Sequence, residues 1–212
     1  MSGVENERPF VEEIDGRQLM QPIERYGVKL LSIGFFVDPA NALVWRGSMA
    51  SNALKQLITD TVWGELDFFI MDLPPGTGDI HLTLAQLVPV TGAVVVTTPQ
   101  EVALADARKA IAFYQLESVN VPVLGVVENM SYFTPPELPE NKYYIFGKGG
   151  GRLLAQQFEV HFLGELPIEQ EIREGGDFGK PIALQPITEA GKAFEQLGQT
   201  VARQIAVQNA SN

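Results

Sequence analysis

The stretch LDFFIMDLPPGTGD, residues 66–79, constrains this chain more than any other. Residues 68–71 (FFIM) form an apolar run too short for a surface helix and suited to a buried strand. Asp72 closes the run. Pro74, Pro75, Gly76, Thr77 and Gly78 follow, and the prolines and glycines stop any regular element there. An apolar strand that hands one carboxylate to a glycine-rich turn has the pattern of a Walker B strand. At the carboxyl edge of a parallel sheet such an acid can hold a water of a magnesium ion bridging nucleotide phosphates. Gly76 and Gly78 let backbone N–H groups approach an anion closely. The same pattern also occurs where the acid only caps the next helix, and the run FFIMD alone leaves both readings open.

A chain of 212 residues, 45% hydrophobic, can bury one good core and fits a single α/β domain. It holds no cysteine, so disulfides, thiol nucleophiles and thiolate metal sites are excluded within it. A net charge of −11 argues against broad binding to nucleic acid or to anionic membranes. No apolar run approaches a membrane span and no secretory signal opens the sequence, so a cytoplasmic protein is expected.

Taken in order, residues 1–26 are polar and read as an irregular surface lead-in. Residues 28–36 (VKLLSIGFF) read as a strand, and Trp45-Arg46-Gly47 leads into a helix over 49–58. Arg46 could reach a phosphate or a partner, or serve only as a surface pair. Asp79 suits the N-cap of a helix over 80–87, a role that competes with a catalytic one. His81, in its first turn, reads as a surface residue. Residues 92–97 form a β-branched buried strand, and Thr98-Pro99-Gln100-Glu101 reads as a capping box with proline at the first helical position. A further strand over 121–127 ends at Glu128-Asn129-Met130. Asn129 reads as a turn residue, although an amide at a strand end also suits a purine edge. Residues 132–151 form a long loop. The run Gly147-Lys148-Gly149-Gly150-Gly151 is not a P-loop, because Lys148 precedes the glycines and no Ser or Thr follows it. It reads as the entry to a helix over 151–158. A strand over 160–166, a short helix over 169–174 and an amphipathic helix over 187–207 complete the chain. The last carries Ala190, Phe194, Leu197, Val201 and Ile205 on one stripe.

Several strings stand in one order: WRGSM at Trp45, DLPPGTGD at Asp72, GVVENMSYF at Gly125, IFGKGGGRLLA at Ile145 and FLGELPIEQEIREGGDFGKPI at Phe162. Together they resemble the MinD/Mrp family of deviant P-loop ATPases, and within it the Mrp/ApbC branch of iron–sulfur cluster carriers. The resemblance covers nearly the whole chain. It implies a mainly parallel sheet flanked by helices, with ATP and Mg²⁺ as ligands. It also implies a homodimer, with apo iron–sulfur proteins or an assembly scaffold as clients. By resemblance, Asp72 serves Mg²⁺ through water, Gly76 and Gly78 the phosphates, and Thr77 the attacking water. Asn129 serves the base, which Pro167 and Ile168 cover.

Two departures stand out. Most Mrp-type carriers hold a Cys-x-x-Cys pair in the long loop, whereas here it reads Pro135-Pro136-Glu137-Leu138-Pro139. Iron–sulfur clusters are held by thiolates, so no cluster ligand can be carried over. The family also begins with a strand, a two-lysine Walker A loop, a helix and an acidic switch, and no such segment precedes residue 1 here. The resemblance therefore implies a truncated or mis-started chain, inactive by itself, whose strand at 68–71 lacks its neighbour. The alternatives are a ParA/MinD-like nucleotide-gated dimer switch without a cluster, and a non-catalytic fragment.

Overall fold

The computed structural model describes residues 2–5, 7–36 and 47–211. Trp45 and Arg46 lie outside the described residues. The chain forms two compact units, Ser2–Val88 and Pro89–Asn212.

In the first unit, β1 (Val11–Ile14) pairs antiparallel with β2 (Arg17–Met20), and β3 (Ile23–Arg25) with β4 (Val28–Leu30). The irregular lead-in expected over 1–26 is thus largely two hairpins. Each turns on two residues with positive φ: Asp15 (52°) with Gly16 (76°), and Tyr26 (55°) with Gly27 (73°). Two left-handed residues are what a tight turn needs to match the right-handed twist of its strands. The strand expected over 28–36 stops at Leu30 and gives way to a 3₁₀ turn at Ile33–Phe36. Helices α1 (Gly47–Thr59) and α2 (Asp79–Leu87) pack together, with Ala50 and Leu84 buried and a Thr83–Ser51 hydroxyl bond at 3.0 Å.

Residues 68–71 are not a strand. They join no ladder, Ile70 is 88% exposed, and Phe69 is held by an edge-to-face contact with Trp63 at 4.9 Å. A strand is a relation between two segments. Among the described residues the only sheets of this unit are its two hairpins, so FFIM has the composition of a strand and nothing to pair with.

The second unit is an α/β sandwich on a parallel sheet of order β5 (Ala93–Thr97), β6 (Val123–Glu128), β7 (Phe162–Glu165). Against one face, α3 (Glu101–Tyr114) and α4 (Gly150–Gln157) close a core of Val95, Leu104, Ala107, Ile111, Val126, Leu154 and Ala155. On the other face, α6 (Glu189–Ser211) lays Ala193, Phe194, Leu197 and Val201 over Val127, Leu163 and Leu166. Phe194, Leu197 and Val201 of the stripe read from the sequence lie in this packing face, with Ala193 in addition. A short helix α5 (Gln170–Asp177) follows β7. β5 stands at the rim of the sheet, and on its second face Val96 is 59% exposed. The capping box expected at Thr98 does not form. Gln100 is the N-cap of α3, without a side-chain cap bond, and Pro99 lies outside the helix.

Candidate functional site

The residues proposed for nucleotide chemistry fall in both units, and each set has its own local frame. In the first unit, Asp72, Gly76, Thr77 and Gly78 are all exposed. Gly76 has φ +102°, and a Cβ built there meets no atom within 4 Å, so the space beside its Cα is open. Gly78 and not Asp79 is the N-cap of α2. Its carbonyl accepts the N–H of His81 at 3.0 Å, and no side chain caps the helix. Asp79 is the first helical residue instead, where its charge favours the positive end of the helix dipole. The extended backbone of Gly78 already satisfies the N-cap geometry and leaves Asp79 one position too late. An oxygen ligand, a left-handed glycine and an uncapped helix start, all in contact with water, form a frame suited to a hydrated hard cation and an anionic group.

His81 is not on the surface. It is 6% exposed, packed in the first turn of α2. Burial pushes its pKa below the ordinary 6.5, while a hydrogen bond to the Pro74 backbone pulls it back up. The imidazole therefore ties the start of the glycine-rich turn to α2. The sign of its pH effect follows. With a folded pKa below the unfolded one, the unfolded chain binds the proton more readily, so stability is complete above 6.5 and declines as pH falls below it. The thermal midpoint followed by circular dichroism is expected to drop between about pH 7.5 and about pH 5.5, and His81→Gln to flatten that drop. An identical pH profile for the variant would show that His81 is not the group responsible.

In the second unit, three strand ends converge at the carboxyl edge of the sheet. The Asn129 N–H donates to the Thr97 carbonyl at 2.7 Å, and the Ser131 N–H to the Leu166 carbonyl at 2.9 Å. The Ile168 N–H donates to the Tyr132 carbonyl at 2.7 Å. The structure thus brings the Asn129 turn and the Pro167-Ile168 turn side by side. Within Asn129, Oδ1 accepts the N–H of Met130 at 2.9 Å, with Met130 in the left-handed region at φ 53°. This orients the amide so that its NH₂ group and a second lone pair on Oδ1 are available to a ligand. Pro167 is buried and Ile168 half-buried. Glu169 follows, its carboxyl held above the usual range by partial burial and then by the charges of Glu171 and Glu189. The N–H of Ala190 pulls it back down.

The glycine run behaves as read: it is no phosphate loop. Gly149, left-handed at φ 72°, is the N-cap of α4. A Cβ on Gly150 would lie 2.7 Å from Leu104 Cδ1 and 2.8 Å from the Pro99 carbonyl oxygen, so glycine serves close packing there. The first turn of α4 is already occupied by an internal anion, Glu128, whose Oε2 accepts the Gly151 N–H at 2.6 Å. Sequence reasoning passed over Glu128, although it carries the same signal as Asp72, an acid closing an apolar strand. The long loop is ordered by reciprocal backbone bonds between Phe133 and Tyr143, at 2.9 and 2.8 Å, and by Lys142 over the Tyr132 ring at 3.7 Å. Among the described residues, no group of three or more His, Cys, Asp or Glu side chains is placed to hold a metal ion. Likewise, no helix among them is long and apolar enough to cross a membrane.

Comparison with known proteins gives one consistent result. The sequence profile described as "ParA: NUBPL iron-transfer P-loop NTPase" matches residues 1–202. The chain is 42% identical to an iron–sulfur cluster carrier protein of Synechocystis over 98% of its length, covering 58% of that relative. It is 47% identical to the iron–sulfur cluster carrier protein of Escherichia coli K12 over 97% of its length, covering 54% of the relative. Against the mouse iron–sulfur cluster transfer protein NUBPL, identity is 42% over 91% of this chain and 60% of that one. The chain thus spans little more than half the length of the curated relatives it matches. Among solved structures, a nucleotide-binding protein of Archaeoglobus fulgidus in complex with ADP superposes with a TM-score of 0.67 at 34% identity, covering 84% of this chain and 67% of that one. The Pyrococcus furiosus cell division ATPase MinD (TM-score 0.51, 21% identity, 76% of this chain and 63% of that one) shares the fold.

Proposed function

The chain belongs to the family of NUBPL iron-transfer P-loop NTPases, and from that premise we propose that the full-length protein binds ATP with Mg²⁺ and delivers iron–sulfur clusters to apoproteins. The observation that carries the reading is identity above 40%, across nearly the whole chain, to relatives named as cluster carriers. Magnesium supplies charge neutralisation at the transferring phosphate. Asp72 would hold it through a water, which suits an exposed carboxylate facing a cation that gives up few of its waters. The Gly76 backbone, left-handed and in an exposed turn, would donate to the γ-phosphate, with Gly78 alongside. Thr77 would orient the attacking water. Asn129 would read the base through the NH₂ and remaining lone pair described above, with Pro167 and Ile168 covering the ring. A homodimer acting on apo iron–sulfur proteins or on an assembly scaffold completes the proposal.

The cargo is a different matter. A chain without cysteine offers no thiolate, and the described residues place no alternative cluster of ligands. Cluster ligands would have to come from a partner or from beyond these residues. After anaerobic incubation of this chain with iron and sulfide, no visible absorbance should survive desalting. Retained absorbance with matching iron per protomer would establish oxygen or imidazole ligation. The absent cysteines favour a second reading, a nucleotide-gated dimer switch of the ParA/MinD sort. The deciding experiment is ATP-dependent activation of an apo iron–sulfur enzyme by the full-length protein. Activation supports the carrier. ATP hydrolysis without activation supports the switch.

A further inference from the structure

Glu128 closes β6 and is 0% exposed. Its two oxygens serve two separate segments: Oε1 accepts the Ser131 hydroxyl at 2.6 Å, and Oε2 accepts the Gly151 N–H at 2.6 Å, 23 residues away. The approach to Gly151 is close: a Cβ there would lie 3.1 Å from Glu128 Cβ and 3.2 Å from Oε2, tight enough that the Glu128 side chain would have to give by a few tenths of an ångström. Ser131 belongs to the turn that carries Asn129. Gly151 stands at the exit of the long loop, in the first turn of α4, where a carboxylate is favoured by the N–H groups of the helix start. At its entry, the loop is fixed by backbone pairing of Phe133 with Ile168 and Tyr143. At its exit, the Glu128 carboxylate bonds the loop to the sheet.

We propose that Glu128 is a positioning residue that couples the Asn129 turn to the exit of the 132–149 loop, so that a displacement of either is felt by the other. The coupling is a property of the fold. Only its consequence for base recognition rests on the role proposed above for Asn129. Buried hydrogen bonds at each oxygen are directional and costly to leave unmade, which is what a rigid link between two segments needs.

Three variants separate geometry from burial. Glu128→Gln keeps the reach: its carbonyl can face the Gly151 N–H while its NH₂ donates to Ser131 Oγ, which then accepts. Glu128→Asp keeps the carboxylate but falls short by one carbon–carbon bond, about 1.5 Å, and Glu128→Ala removes the link. Hydrogen exchange read by mass spectrometry on the full chain should rise about tenfold for Asp and Ala over residues 129–132 and 147–152 together, the loss expected for a buried hydrogen bond left unmade. Peptides of α3 should stay unchanged, and Gln should match the parent. A rise in only one segment, or a Gln variant as loose as Ala, overturns the coupling. Should Glu128→Ala fail to fold, Ser131→Ala, which removes one donor, is expected to loosen 147–152 as well; tight exchange there would overturn the proposal. In the full-length protein, the preference for ATP over GTP should fall in Glu128→Asp as it does in Asn129→Ala. If Asn129→Ala leaves the preference intact, the base-reading role fails while the exchange result still decides the coupling. If Asn129→Ala lowers it and Glu128→Asp does not, the coupling does not reach the base and the proposal is overturned.

Discussion

Asp72→Ala is expected to slow magnesium-dependent ATP hydrolysis by the full-length protein about 10²–10³-fold, the loss typical of removing one preorganised electrostatic contact from a transition state. The loss should fall on kcat more than on nucleotide affinity, because a charge that organises the metal matters most as charge develops on the transferring phosphoryl group. Stability should barely change, since Asp72 is exposed and substitutions at such positions usually stay within about 0.5 kcal/mol. Steady-state phosphate release, with a urea melt as control, makes the check. Unchanged turnover would reduce Asp72 to a residue of the turn.

The second large effect concerns folding. Gly125→Ala should destabilise the second unit by about 3 kcal/mol or more, combining overpacking of about 1–3 kcal/mol with a strained φ of similar cost. Gly125 sits inside β6 with φ +152°, and a Cβ there collides with the His161 carbonyl oxygen and approaches Leu163 Cγ to 2.7 Å. The carbonyl cannot retreat cheaply, because it accepts the Val126 N–H at 2.8 Å, the link between β6 and the start of β7. A loss of less than about 1 kcal/mol in unfolding free energy, read from urea melts, would mean that the strand relaxes around the added methyl group.

The second unit was legible in the sequence because β5 and β6 are rich in β-branched residues and their partners also lie in the chain. AVVVT and VLGVVE each announce a parallel strand, but only VLGVVE is buried as its composition suggests: AVVVT lies at the end of the sheet and leaves Val94 and Val96 exposed. The first unit was less legible, for two physical reasons. Its hairpin strands are mostly exposed, so VEEI and RQLM show little apolar alternation, and the Asp15-Gly16 turn between them stands without the flanking pattern that would mark a hairpin. FFIM failed in the opposite way: its composition is that of a strand, but pairing is not a local property. The site shows the same limit. Asp72 and Glu128 both close apolar runs, and nothing in either run tells that one carboxylate faces water while the other is sealed under a helix start. His81 reads as a polar first-turn residue until the packing of α2 buries it.

The rim of the parallel sheet has a consequence for behaviour in solution. Among the described residues no strand pairs with the outer side of β5, and its Val94 and Val96 are exposed. Folding of a molecule is first order in its concentration, whereas joining of two such rims is second order. Dilution therefore favours the separated chain and crowding the joined one, and an unprotected strand edge is the surface on which such joining begins. The yield of monomeric material from a refolding experiment should accordingly depend on the concentration at which it is set up, independently of temperature or time.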